Sequence, residues 1–342
     1  MHLSRADLTA AIADGILDRS QAERLWNFLS GRGTTAARFG ITHVLYYLGG
    51  LIAIGAMSLF MTLGWERYGG WGIVGICASY AVIGLGATHF LLRRQLLVPA
   101  GITATFVLVL VPLAIYGLQS ALGWRSVEYA YRDYHRYIDW NWLMMEYATL
   151  AAGAVMLWRY RLPFLVMPVA ITLWYMSMDL VPFLADGDYD WALRKLISVW
   201  MGLAMILLAF WIDIRNRTER DFAFWMYLFG LLMFSGGLSA MNSDSEIGKF
   251  TYACIHLLLI AAGAILNRRT FAVFGGLGVA GYLGYLSWHL FRDSFLFPFA
   301  LSALGFAVVY AGILWQRHER RLSAALRGAL PGPVRELVER RA

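Results

Sequence analysis

Apolar residues fall in long runs along most of the chain, and short polar or charged clusters separate these runs. A helix needs about 20 apolar residues to cross the hydrocarbon core of a bilayer, whereas barrel strands alternate in segments of about ten residues. The pattern therefore predicts an all-α fold, a polytopic membrane bundle. Ten spans are predicted, at residues 41–64, 70–92, 96–119, 142–158, 162–183, 195–213, 222–241, 249–266, 270–291 and 294–315.

Composition supports this fold class. Apolar residues make up 59% of the 342 residues and charged residues 15%, whereas soluble domains average about 45–50% and about 25%. These values exclude a soluble enzyme and a disordered chain. Cys77 and Cys254 fall inside separate predicted spans, so we interpret them as small packing residues. No motif implies a cofactor or a metal ion, and we expect neither.

The distribution of basic residues over the loops predicts the orientation. If the N-terminus is cytoplasmic, the inner segments carry 21 Lys and Arg residues and the outer segments carry 8. Because inner loops are enriched in Lys and Arg, both termini are expected in the cytoplasm of a bacterial inner membrane. No secretory signal precedes the first span, which is expected to act as an uncleaved anchor. The basic residues are spread over the loops, so we expect no nucleic-acid partner.

Residues 1–38 predict a cytosolic helical hairpin that packs on the membrane domain (41–315) or on a partner protein. Ser4 with Asp7 resembles a helix cap, and Gly15 suits a left-handed end of the first helix. Ser20 with Glu23 matches a capping box that would open the second helix.

Two more segments are predicted outside the spans. Residues 120–141 place Val127, Tyr131, Tyr134 and Ile138 at helical spacing, which predicts an amphipathic helix in the outer interface. The tail, 316–342, carries seven arginines and three glutamates. It can determine topology, or it can bind the anionic lipids of the inner leaflet.

The start of the chain resembles a known family. The segment GILDRSQAERLWNFL, followed by HVLYYLGGLIAIGAMSLFMTLGWERYGG, is similar to bacterial membrane proteins of the domain-of-unknown-function 2157 family. The likeness covers about the first seventy residues. It implies a multi-span membrane protein with a short cytosolic helical segment, and it implies no particular activity.

Four ionisable residues lie inside predicted spans, namely Glu146, Asp179, His256 and His289. At 1.5 Å per residue they all lie within about 10 Å of the outer boundary. Intramembrane carboxylates are costly and often functional. We therefore predict that at least one carboxylate–histidine pair lines an outward-opening polar pocket, roofed by the 120–141 helix, that binds a cation or a proton. The alternative is that the four are interface anchors.

Small residues recur every four positions in the last two spans, which predicts close helix packing there. They are Ala272, Gly276, Ala280 and Gly284 in span nine and Ala303, Ala307 and Ala311 in span ten.

Enzyme motifs are incomplete. His318 and Glu319 begin a zinc motif, but position 322 is Leu, and the acidic loop 185–190 lacks the glycine and glutamate of a calcium loop. Ser235 lacks the glycine two residues before it that a G-x-S-G motif requires, although a Ser235–His256 pair across adjacent spans is geometrically conceivable.

Three function classes follow in order of preference. The first is a structural or interaction subunit, which the two cytosolic appendages suggest. The second is a secondary transporter of a small solute or cation, because two halves of five spans suit an inverted repeat. An intramembrane enzyme comes third.

Overall fold

The computed structural model describes most of the chain: Leu8 and residues 11–12, 14–31, 41–124, 140–179, 181, 191–216, 218, 220–241 and 245–291, with six isolated positions between 299 and 310. Within these ranges every regular element is a helix. Several predicted segments lie outside the described residues. They are the Ser4–Asp7 cap, most of the 120–141 helix, the 185–190 loop, the tenth span apart from those six positions, and the 316–342 tail.

Nine α-helices are described. They are α1 (Arg19–Gly31), α2 (Ile41–Arg93), α3 (Leu97–Ala121), α4 (Trp140–Tyr160), α5 (Val166–Asp179), α6 (Trp191–Arg215), α7 (Phe224–Ala240), α8 (Glu246–Leu266) and α9 (Arg269–Phe291), and a 3-10 turn, Pro163–Leu165, precedes α5. The bounds of the predicted third to ninth spans lie within four residues of α3 to α9.

The first two predicted spans lie on two helical segments of α2, which meet at a kink rather than at a loop. Helix α2 runs from Ile41 to Arg93, and its one non-helical residue is Gly69, with φ 62° and ψ 178°. A residue without Cβ adopts this positive φ at little cost. The chain divides into two compact units, Met1–Leu51 and Ile52–Ala342, and the boundary falls inside α2.

Five of the described helices are long and apolar enough to cross a membrane, which indicates a membrane location. They are Tyr68–Arg93, Leu97–Ala121, Trp191–Arg215, Glu246–Leu266 and Arg269–His289. Large apolar side chains on these helices face away from the protein; Val82 is 71% exposed and Leu258 is 69% exposed. Exposed apolar surfaces of this kind are expected where a protein contacts the hydrocarbon core of a membrane. Helix α4 has 21 residues but is not among the five, since its first turns are rich in polar and aromatic groups.

The N-terminal unit has its own local order. A first predicted helix precedes α1 and ends before Gly15. Gly15 has φ +71°, and the N–H of Ile16 donates to the Ala11 carbonyl at 2.9 Å, which confirms the predicted left-handed end of that helix. The predicted Ser20–Glu23 capping box was wrong. Instead the Gln21 side chain accepts from the Asp18 N–H at 3.1 Å, and α1 begins at Arg19. One half of a capping box is therefore present two residues earlier, while the Asp18 side chain accepts from the Arg19 N–H at 2.7 Å.

Glycines set how closely neighbouring helices approach. A Cβ at Gly202 of α6 would lie 2.5 Å from the backbone nitrogen of Phe234 and 2.7 Å from the Gly230 carbonyl oxygen of α7. Only glycine fits at that separation. Backbones that approach so closely gain dispersion contacts that lipid cannot replace.

The α8–α9 contact uses glycines other than the predicted stripe. Gly275 and Gly278 of α9 face α8, whereas Gly276 and Gly284 meet no atom within 4 Å. An i, i+4 row drifts around a helix because four residues turn by more than 360°. The sequence therefore shows that α9 is rich in small residues but does not show which of them face α8.

Replacing Gly202 with Ala should destabilise the protein by about 1–3 kcal/mol, because the new methyl group meets backbone atoms that cannot move aside. Gly236→Ala is the matched control, since a Cβ at Gly236 meets nothing within 4 Å. Thermal unfolding of the purified protein in detergent measures both changes. Equal unfolding temperatures for the two variants would contradict close packing at Gly202.

Candidate functional site

Glu146 lies on the buried face of α4. Thr149, Gly153 and Met156 follow it at helical spacing and are buried as well. A Cβ at Gly153 would lie 2.6 Å from the Val169 side chain of α5 and 3.4 Å from Leu108 of α3. This face is therefore directed at α3 and α5, and the Glu146 side chain, 6% exposed, is enclosed by protein.

The structure brings Asp179 next to Glu146. Asp179 is the last residue of α5, and its carboxyl group and the Trp142 indole are the polar neighbours of the Glu146 carboxyl. Neither oxygen of Glu146 makes a well-aligned hydrogen bond to a described residue. Glu146 and Asp179, two of the four predicted site residues, are therefore neighbours, and we call them the carboxyl pair.

No cation in the described part of the chain forms a salt bridge with Glu146. The salt bridges found there join Lys249 to Glu246, and Arg268 to two aspartates. The same part of the chain contains no cluster of three His, Cys, Asp or Glu residues that could hold a metal ion. The carboxyl pair alone supplies too few oxygens for Ca²⁺, which takes six to eight.

A buried amide lies near the same end of α3 and α4. Gln119 is 1% exposed, and its Nε2 donates to the Asn141 carbonyl at 2.8 Å. Its Oε1 is buried without a hydrogen bond to any described residue. Asn141 lies five residues before Glu146, about 7.5 Å along the helix axis. Gln119 ends the predicted third span, and as an uncharged residue it gave no signal in the sequence.

The two histidines lie elsewhere, on α8 and α9. His256 is fully buried and its Nδ1 donates to the Tyr252 carbonyl at 2.9 Å. Its ring centroid lies 4.1 Å from that of the Tyr252 ring, and the two planes are tilted by 41°. His289 is exposed and stacks on Tyr285 at 5.6 Å. The structure therefore groups the carboxylates together and brings neither histidine into a described contact with them. A pocket shared by all four residues stays a prediction.

The strongest ionic cluster is one that the sequence did not reveal. Arg268, between α8 and α9, donates from Nη2 to Asp213 at 2.8 Å and from Nε to the other Asp213 oxygen at 3.2 Å. It also bonds to both oxygens of Asp221. The side chains of Arg268 and Asp213 are only 6% and 2% exposed. We call these three residues the Arg268 triad.

The Arg268 triad joins three helices at one end. Asp213 belongs to the last turn of α6, and Asp221 precedes α7, where its Oδ1 accepts from the Phe224 N–H at 3.1 Å. Burial alone would lower the pKa of Arg268, but the hydrogen bonds and charges of Asp221 and Asp213 outweigh it and raise that pKa. The guanidinium also lies over the Tyr227 ring, at 5.1 Å.

One sequence signal could have revealed the triad. Asp213 is the last residue of a predicted span, and a buried carboxylate at a span end needs a cation on a neighbouring loop. From the sequence, Arg268 is expected only to determine topology. The neighbouring Arg269 is exposed, so only the structure distinguishes the paired arginine from the solvated one.

Replacing Arg268 with Met should cost about 3–5 kcal/mol of stability, because it leaves Asp213 charged, buried and unpaired. Arg269→Met is the matched control and should change stability little, since Arg269 is exposed. Adding Asp213→Leu to Arg268→Met should recover part of the loss. Unfolding temperatures in detergent test all three, and an equal loss for both single variants would contradict a stabilising triad.

Comparison with known proteins adds no relative: no family model, no curated protein and no solved structure matches the chain. The resemblance of the first seventy residues to the domain-of-unknown-function 2157 family therefore stays a prediction.

Proposed function

We propose that this chain is a ten-span protein of a bacterial inner membrane, with both termini in the cytoplasm, that works as a proton-coupled secondary transporter. The carboxyl pair of Glu146 and Asp179 is its proton-binding site. The observation that carries the proposal is the position of these two groups, side by side, with Glu146 buried on the face of α4 that is directed at α3 and α5 and Asp179 half-buried at the end of α5. Ionisable residues that face the interior of a membrane bundle commonly mark ion or proton pathways.

Electrostatics favours proton uptake by the carboxyl pair. Two carboxylates that share a weakly solvated site repel each other, and each also loses hydration, so the pair is stabilised when it takes up a positive charge. A proton fits the geometry better than a larger cation does. Both oxygens of Glu146 are fully buried, and a proton needs no cavity.

The polar groups at opposite ends of the helices support a transport role as well. The carboxyl pair lies near the predicted outer ends of α4 and α5, whereas the Arg268 triad ties α6 and α7 to the α8–α9 turn at their predicted inner ends. A proton site near the outer face and an ionic closure near the inner face would suit an outward-facing state of a transporter. Exchange between states would require the inner closure to open.

A structural or interaction subunit is the second candidate. One observation favours it: Ile16 of the hairpin is 72% exposed although Leu8 and Ala22 of the same unit are buried. A unit this small buries little apolar surface by itself, so packing against a partner protein would stabilise it. Binding of anionic lipids by the 316–342 tail is compatible with both candidates.

Dicyclohexylcarbodiimide, an apolar reagent that modifies protonated carboxyl groups, should label Glu146 in the purified protein near neutral pH. Glu146→Gln should abolish that labelling, and Asp179→Asn should alter its rate, because the two carboxyls share one proton. Glu246→Gln is the matched control, since Glu246 is exposed and paired with Lys249 at 2.8 Å. Mass spectrometry of peptides locates the adduct. Unmodified Glu146 in the wild type would contradict the proton site.

Reporter fusions test the ten-span topology separately. Fusions after Arg94, Arg161, Arg217, Arg269 and Ala342 should report the cytoplasm, and fusions within 125–139 or 186–190 should report the outside. The expectation follows from the excess of basic residues on the inner segments. A cytoplasmic signal from the 125–139 segment would contradict ten spans.

A further inference from the structure

The connection between α6 and α7 differs from the other predicted inner connections. The turns that follow α2, α4 and α8 are short, and each contains one residue other than glycine with a positive φ: Gln95 at 60°, Arg161 at 51° and Asn267 at 51°. Residues with a Cβ seldom adopt this conformation, which ends a helix abruptly. The α6–α7 connection instead extends from residue 216 to residue 223, which lets it reach the neighbouring turns.

Side-chain hydrogen bonds give this connection a defined shape. Oδ1 of Asn216 accepts from the Thr218 N–H at 3.0 Å and from the Thr218 hydroxyl at 2.6 Å. Nδ2 of Asn216 donates to the Arg220 carbonyl, and Asp221 caps α7 through the Phe224 N–H. Asparagine commonly orders a turn in this way. The side chains of Arg220 and Asp221 therefore extend from an ordered segment.

These two consecutive residues bind two different helix turns. Nη1 of Arg220 donates to the Arg161 carbonyl, in the α4–α5 turn, at 3.1 Å. Asp221 accepts from both terminal nitrogens of Arg268, in the α8–α9 turn. The α6–α7 connection therefore ties the two helices that carry the carboxyl pair to α8 and α9.

The contacts at this end differ in how readily they can open. The Asp213 side chain is 2% exposed, whereas that of Asp221 is 41% exposed, and Arg220 is exposed as well. Exposed ion pairs contribute little to stability because water competes for both partners, whereas loss of one partner from a buried pair is strongly destabilising. The contacts of Arg220 and Asp221 can therefore open while Arg268 stays bound to Asp213.

We propose that Arg220 and Asp221 form a clasp that holds the α4–α5 turn to the α8–α9 turn and opens when the carboxyl pair takes up a proton. Opening breaks the contacts of both residues with the two turns, and it leaves the Asp213–Arg268 pair and the cap of α7 in place. The regulation of the clasp by the carboxyl pair rests on the proposed function, whereas the clasp itself does not.

Helices α4 and α5 connect the carboxyl pair to the clasp. Arg161 follows Glu146 by 15 residues, or about 22 Å along the helix axis, and α5 returns from the turn to Asp179. A change in packing between the two carboxyls shifts one helix against the other. Continuous helices transmit such a shift to the turn that joins them. Because the pair faces the predicted outer side, its protonation should release the turn at the inner end.

Double electron–electron resonance tests the clasp by measuring the distance between spin labels on the two turns. The labels are attached at Arg159→Cys and Arg269→Cys, both exposed positions, in the full-length protein in lipid vesicles with its two native cysteines replaced by alanine. Adding Arg220→Met with Asp221→Asn should increase the population of a second, longer distance. Asparagine still caps a helix, so α7 keeps its start. Glu246→Gln, which changes an exposed paired carboxylate at the other end of α8, should leave the distances unchanged.

The same labels test the regulation of the clasp. In the protein with an intact clasp, the longer distance should gain population at acidic pH, and Glu146→Gln should remove this pH dependence. The groups that titrate at the site are Glu146 and Asp179, since the Trp142 indole beside them and the Gln119 amide of α3 do not titrate. Distances that are independent of pH would overturn the regulation, and carbodiimide labelling of Glu146 tests the proton site separately.

Two results would overturn the clasp itself. One is an unchanged distance in the Arg220→Met, Asp221→Asn variant. The other is an unfolding temperature of that variant as low as that of Arg268→Met, since Asp221 would then belong to the structural core and not to a contact that opens.

Discussion

Polar groups inside a hydrocarbon layer must find their partners within the protein, because no water is present to supply them. This constraint explains how most polar side chains of the described helices are hydrogen-bonded. Most helical hydroxyls bond to their own backbone, and the buried Arg268 is matched by two aspartates. Against this background the buried side-chain atoms that make no hydrogen bond to a described residue are exceptions, and they include both oxygens of Glu146 and Oε1 of Gln119.

The same absence of water explains why glycines dominate the helix contacts. Lipid offers apolar side chains a surrounding as favourable as the protein interior, so helices gain by close backbone approach rather than by burying large apolar residues. Gly202 against Gly230 and Gly278 against His256 show two uses of that approach. The first brings two backbones together, and the second forms the flat surface on which an imidazole ring lies.

The sequence predicted what depends on hydropathy and local chemistry. Helices α3 to α9 follow from apolar runs, and the left-handed end at Gly15 follows from the freedom of glycine at positive φ. The depth of a residue within a span was also predictable, because it is proportional to the number of residues between it and the end of the span. On that basis Glu146 and Asp179 were expected at similar depth, and the structure places them side by side.

The direction in which a residue faces could not be read from spacing alone, because neighbouring helices determine it. Nothing in the sequence separates Arg268 from Arg269, or Gly275 from Gly276, until α8 and α9 are packed. The histidines share the predicted depth of the carboxylates, yet they lie on another helix pair. Which side chains pair with each other is therefore determined by how the helices pack. Even at one helix end the pairing differed from the prediction, because the cap uses Asp18 and Gln21 rather than the residues two positions later.

If the carboxyl pair binds and releases a proton during transport, a pH jump should move charge through the protein. Vesicles containing the protein are adsorbed on a solid-supported membrane, and the transient current is recorded as the pH of the solution changes. Wild-type protein and the Glu246→Gln control should give a current that protein-free vesicles lack, and Glu146→Gln should abolish it. A wild-type current that persists in Glu146→Gln, or no current in the wild type, would contradict proton binding by the carboxyl pair.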